Sequence, residues 1–219
     1  MFGLSNILSI LINVPITLIA LTGHEFAHGW MSKKLGDPTP EYEGRLTLNP
    51  LAHLDITGTL LMILTGFGWA KPVHVDPRYY KNQKRGMALT AIAGPMANLI
   101  MAFIALLIYA VVFVVCYKFN AVAMVVETVG DLAYVFAFKI LCFMVFNIIP
   151  IPPLDGAEVL GMFIPNKAYY KMLQYERYAM IIIMVLSLSG AFGTIIGTGV
   201  DLVMNGIFTL LDLGVNLIL

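Results

Sequence analysis

The sequence predicts an all-α polytopic membrane protein, with about five to six transmembrane helices and a re-entrant loop or short β element after the first. Composition is the first reason. Of 219 residues, 59% are hydrophobic and only 12% charged, against roughly 25% charged in soluble domains. Mean hydropathy is +0.86. The second reason is a series of apolar runs near the length of about 20 residues that crosses hydrocarbon. The third is the clustering of basic residues between those runs. Net charge is zero, so nothing points to nucleic acid, and the expected surroundings are a lipid bilayer. The two cysteines, Cys116 and Cys142, lie in apolar runs, which argues against a disulfide framework or a cysteine-ligated metal.

Five runs are long enough to span: about Phe2–Met31, Met87–Tyr117, Leu132–Ile149, Tyr178–Phe192 and Val200–Leu219. The last is weakened by Asp201, Asn205 and Asp212. The first has no basic n-region or small-residue cleavage site, so it is expected to be retained. Between the first two, Leu54–Trp69 is apolar but short and contains Gly58, Gly66 and Gly68. A run this short suits a re-entrant segment better than a crossing. Lys33, Lys34 and Arg45 precede it, and Lys71, Arg78, Lys81, Lys84 and Arg85 follow it. A crossing would divide this basic cluster, whereas a re-entrant loop keeps it on one side, which is then cytoplasmic. Adding Lys167, Lys171 and Arg177 places eleven of the thirteen basic residues inside. The expected protein is thus multi-pass in the cell membrane, N-terminus outside. Residues 1–219 are expected to form one membrane-embedded domain, with a core over 1–156 and C-terminal helices over 157–219.

The chemistry centres on His24-Glu25-Phe26-Ala27-His28, an H-E-x-x-H pattern inside the first apolar run. Residues four apart share a helix face, so His24 and His28 can hold one metal ion, with Glu25 beside them as a general base. Ionisable groups in hydrocarbon cost about 2.5–3.5 kcal/mol each on insertion scales, which marks them as functional. A catalytic zinc usually takes three protein ligands. The best third candidate is Asp155, after the Pro150, Pro152 and Pro153 that end the third apolar run. Irregular backbone at membrane depth belongs where protein buries it or water lines it. His24 lies about 20 residues, roughly 30 Å of rise, into an inward-running helix, so both groups arrive toward the cytoplasmic face.

With Gly94-Pro-Met-Ala-Asn98 in the second run and Asn147 through Gly156, this combination resembles the site-2 protease family of intramembrane zinc metalloproteases. The resemblance covers about three quarters of the chain, in a minimal form without PDZ or CBS domains. The segments Gly44–His53 and Gly68–Val75 also look like those of compact members. It implies a Zn2+ site of His24, His28 and Asp155. Glu25 would take a proton from the attacking water and pass it to the leaving amine. Asn147 would bind the substrate backbone or the oxyanion. The implied substrate is a single-pass membrane protein, cut within or near its transmembrane segment. Such a segment satisfies its carbonyls internally and must unwind before attack. Val73, His74 and Val75 could then offer an edge for strand addition.

Other readings stand beside these. Asp155 taken alone suits a helix N-cap. Asn147 could satisfy backbone freed by Pro150. Gly94 and Asn98 suit close helix packing and an interhelical hydrogen bond. His53 is either an accessory oxyanion donor or extra ligand, or a hydrogen-bonded loop histidine. The whole site could also serve a membrane metal transporter or metal-binding protein, which would need no base at Glu25.

Overall fold

The computed structural model describes residues 4–65, 71–119 and 123–218. The described chain is α-helical, in the order α1 Leu4–Lys34, α2 Thr39–Tyr42, α3 Ile56–Thr65, α4 Gln83–Lys118, α5 Ala123–Ile148, α6 Asp155–Gly161, α7 Asn166–Gln174, α8 Glu176–Leu188 and α9 Ala191–Ile218. Single 3-10 turns occur at Pro50–His53 and Pro77–Tyr79. Local chemistry accounts for several of the starts. Asp55 accepts from the Gly58 amide and opens α3, Asn82 accepts from the Arg85 amide and opens α4, and Asn49 accepts from the Leu51 amide at the first 3-10 turn.

Among the described residues, three helices are long and apolar enough to cross a membrane: Gln83–Lys118, Ala123–Ile148 and Phe192–Leu217. The fourth expected span is shorter than the sequence suggests. α8 has 13 residues, about 20 Å of rise against a hydrocarbon core of about 30 Å. It stops at a turn where Gly190 has φ +77°, a left-handed conformation that glycine adopts without steric cost. α9 therefore begins at Ala191 rather than near Val200 and gains the length that α8 lacks. α3 is described over 10 residues, Ile56–Thr65. Residues 66–70, including Trp69, lie outside the described residues.

No β-strand occurs among the described residues, so the short β element expected after the first helix is not seen there. Residues 71–76, which hold Val73, His74 and Val75, form irregular chain. Pro72 has no amide to give a ladder. The amides of Lys71, Val73 and Asp76 go to the His53 carbonyl and to the carboxylates of Glu25 and Asp37.

The chain forms two compact units, residues 1–97 with 147–180, and residues 98–146 with 181–219. This division runs through α4. The second unit buries Ala133, Ala137, Ile140, Leu141 and Met144 of α5 and Val200, Met204, Ile207 and Leu211 of α9, each set at helical spacing. Leu202, Leu210, Leu213 and Leu217 are exposed, as a lipid-facing helix requires. A different face of α9 carries Thr194, Thr198, Asp201, Asn205, Thr209, Asp212 and Asn216, all exposed and three or four residues apart. Thr198 and Thr209 turn their hydroxyls back onto the carbonyls of Thr194 and Asn205.

The first unit contains every residue of the candidate site except Asn98. On α1, Ile16, Ala20, His24 and Ser32 are buried at intervals of four or eight, so one stripe carries both core and chemistry. On α4, Gly86, Thr90 and Gly94 are buried four apart, a small-residue face that lets helix backbones approach closely.

Candidate active site

His24 and His28 stand one turn apart on α1, their rings edge to face with centroids 4.5 Å apart. Asp155 joins them from the first turn of α6. Its Oδ2 lies 3.0 Å from His24 Nε2 and its Oδ1 3.4 Å from His28 Nε2. One donor atom from each residue falls within 4.8 Å of the others. Capping does not occupy Asp155: Leu154 sits at the cap position, and no side chain caps α6.

Asp155 is brought there by the proline-broken turn. After α5 ends at Ile148, the amide of Ile151 bonds to the carbonyl of Ile149 and that of Leu154 to Ile151, so the chain doubles back at once. Gly156 makes the return fit. A Cβ there would lie 2.0 Å from the Ile148 carbonyl oxygen and 2.6 Å from that of Ile149. Backbone cannot yield as a side chain can, so Gly156→Ala is expected to cost about 1–3 kcal/mol and to release zinc. Thermal melting and metal content of the purified variant check this. Wild-type values for both would refute the close approach.

The donor set fits zinc, which takes imidazole nitrogen and carboxylate oxygen and is the metal most often held by such sets. Asp155 Oδ2 is buried and has no hydrogen-bond partner, despite its short distance to His24. A buried carboxylate oxygen left in that state is costly unless a cation completes it. The backbone of Thr90 sets the tautomer of His28: its carbonyl accepts from His28 Nδ1 at 2.7 Å, leaving Nε2 with a lone pair for metal.

Gly94 gives the metal group its room. A Cβ there would come within 2.6 Å of His24 Cε1, His28 Cε1 and His28 Nε2. Gly94 packs α4 tightly, and the surface it packs against is the pair of imidazoles. The sequence does carry a signal for this face, the spacing of Gly86, Thr90 and Gly94.

Glu25, half-buried beside His24, accepts a hydrogen bond from the backbone amide of Val73 at 3.0 Å. The 71–76 segment thus runs past the carboxylate that the sequence marks as the base. His74 is exposed and pairs with Glu43 at 3.0 Å, and Val75 is partly exposed. Asn147 is buried in the last turn of α5. His53 is fully buried and outside the metal group. Its Nε2 lies 2.9 Å from the Thr47 carbonyl, the arrangement of a loop-holding histidine. Asn98 is fully buried on α4.

A network that sequence reading missed lies beside the site. Asp37 is fully buried. Burial alone would raise its carboxyl, but hydrogen bonds from Thr39, the Asp76 amide and Ser32 outweigh that and hold it below the usual carboxylate range.

No family model matches the chain, and no solved structure matches it. Among curated proteins, a relative in Bacillus subtilis named "Putative zinc metalloprotease YwhC" is 38% identical over 180 residues, covering 82% of this chain and 81% of that one. A Mycobacterium tuberculosis relative named "Putative zinc metalloprotease Rip2" is 27% identical over 178 residues, covering 78% of this chain and 64% of that one. A Mycolicibacterium smegmatis protein of the same name is 28% identical over 180 residues, covering 80% and 65%. The H-E-x-x-H helix, the carboxylate that meets its two histidines and the first of these likenesses agree: the chain belongs to the site-2 protease family of zinc metalloproteases.

Proposed function

We propose that this protein is an intramembrane zinc endopeptidase that cuts single-pass membrane proteins within or near their transmembrane segments. One observation carries the reading most directly. The helix that holds His24 and His28 also holds Glu25, whose carboxylate already accepts a peptide amide, that of Val73. Glu25 can therefore meet extended peptide backbone beside the metal ligands.

His24, His28 and Asp155 hold the metal. When bound, Zn2+ supplies a Lewis acid that polarises the scissile carbonyl and lowers the pKa of water toward about 7. Glu25 takes the proton of the attacking water at a carboxylate oxygen and returns it to the leaving amine nitrogen. Thr90 fixes the His28 ring through its carbonyl, so that ligand does not rotate between turnovers. Asn147 binds the substrate backbone or the developing oxyanion. The segment Val73-His74-Val75 lines the path of the unwound substrate, and His53 and Asn98 support the surrounding structure. The basic residues of the loops support a site toward the cytoplasmic face, with the N-terminus outside.

The test is reconstitution in lipid with a model single-pass substrate. Cleavage within or near the transmembrane segment is expected. Chelation should abolish it, Zn2+ should restore it, and Asp155→Ala should lose both zinc and cleavage. Cleavage that survives chelation or Asp155→Ala would overturn the proposal.

A further inference from the structure

Asp37 is a buried acid held by hydroxyl and amide donors. Oδ2 accepts from the Ser32 hydroxyl at 2.7 Å and from the Asp76 amide at 2.7 Å, and Oδ1 accepts from the Thr39 amide at 2.9 Å. Ionised carboxylate only accepts, and this fixes the direction of a longer chain. Ser32 spends its single proton on Asp37, so the Tyr80 hydroxyl, 2.6 Å away, must donate to Ser32. Tyr80 has then spent its own proton, so Thr90, 3.1 Å away, must donate to Tyr80. Burial pushes the Tyr80 hydroxyl up, which keeps it a donor. Thr90 is the residue whose carbonyl holds His28 Nδ1. The same oxygen of Asp37 that takes Ser32 also holds the amide of Asp76, three residues beyond Val73, whose amide sits on Glu25.

We infer that Asp37 is a positioning residue for the active site: its one carboxylate joins α1 to α4 at the level of His28 and pins the 71–76 segment beside Glu25. The inference rests on the protease reading for its kinetic consequence, but not for its structural one. A merely stabilising buried acid would act on fold and metal together. A positioning acid acts on the segment beside Glu25 while the metal stays bound. Asn at 37 can keep Ser32 and the Asp76 amide on its one oxygen and turn its NH2 toward the Thr39 amide, so it spares the pinned segment, whereas Ala removes both acceptor oxygens. The segment, which has no helix of its own to hold it, is then released.

The experiment uses the full-length, zinc-loaded protein in lipid nanodiscs and compares Asp37→Ala, Asp76→Pro and Asp76→Ala. Asp76→Pro removes the amide that Asp37 holds. Asp76→Ala keeps that amide and loses only the side chain, which pairs with Arg78. Asp37→Ala and Asp76→Pro should each speed amide exchange of residues 73–75 by about tenfold or more, as a local opening does. Each should lower kcat by about tenfold or more with zinc content unchanged, since displacement by about 1 Å carries such penalties. Asp76→Ala should show a much smaller effect on both. Equal exchange and kcat in Asp76→Pro and Asp76→Ala would overturn the inference, as would zinc loss in step with activity in both Asp37→Ala and Asp76→Pro. Should Asp37→Ala fail to fold, the two Asp76 variants decide alone. If the wild type cleaves nothing, the protease reading fails, and the exchange rates still decide whether Asp37 pins the segment.

Discussion

Glu25→Gln is expected to bind zinc as the wild type does and to cleave about 10²–10⁴-fold more slowly, the range that loss of a general acid–base group produces. The substitution is nearly isosteric. Glutamine keeps an oxygen that can accept from the Val73 amide, so the segment held at 3.0 Å stays in place. It lacks the basicity to take a proton from water. Glu25 is also outside the group of His24, His28 and Asp155, so metal content should not move. Measurement of bound zinc beside single-turnover cleavage separates these effects. The same variant distinguishes hydrolysis from metal transport, which uses the ligands and has no need of a base. Wild-type cleavage by Glu25→Gln would remove Glu25 from the mechanism.

Gly94→Ala is the second large expectation, and it comes from a residue with no functional group. The added carbon would sit 2.6 Å from both imidazole rings, about 1 Å inside ordinary van der Waals separation. Neither ring has an easy way out. His28 is held at Nδ1 by the Thr90 carbonyl, and His24 is 2% exposed and lies edge to face with His28. Either α4 is pushed from α1 or the rings leave their metal geometry. Zinc affinity should fall by about 10–100-fold, as it does when groups that orient metal ligands are changed. Zinc titration against a competing chelator reads this directly, with helical content by circular dichroism as the control. Wild-type affinity in Gly94→Ala would mean that the helices separate at no cost to the site.

The ligand set was legible in the sequence because each of its parts has a local signature. His24 and His28 are four apart, and the prolines before Asp155 announce a broken helix end. The three long apolar helices were legible for the same reason, since length and hydropathy are local quantities. What was not legible depends on approach between distant segments. The support of His28 comes from the carbonyl of Thr90, and a carbonyl is present whatever residue stands there. The contact of Glu25 with Val73 joins positions 48 apart through a backbone amide. Nothing near Asp37 in sequence shows that Ser32, Tyr80 and Asp76 converge near it. The expected β element is not seen among the described residues, where the amides of Lys71, Val73 and Asp76 go to the His53 carbonyl and to two carboxylates. The boundary between α8 and α9 was displaced because several glycines compete for that turn, and only Gly190 takes the left-handed conformation.

The polar face of α9 bears on how the protein is made. A helix enters the bilayer from the translocon according to its summed side-chain costs. Leucine, isoleucine, phenylalanine and valine contribute about −0.3 to −0.6 kcal/mol each, and a central aspartate about +2.5 to +3.5. Asp201 and Asp212, with Asn205 and Asn216 on the same face, cancel much of what the leucines of α9 supply. α4 carries no such face in its apolar run and can enter as it emerges. α9 is synthesised after α4 and α5, and its buried stripe of Val200, Met204, Ile207 and Leu211 then has partners already in the membrane. The order of the helices along the chain is thus also an order of assembly, in which the least apolar span arrives after the helices that receive it.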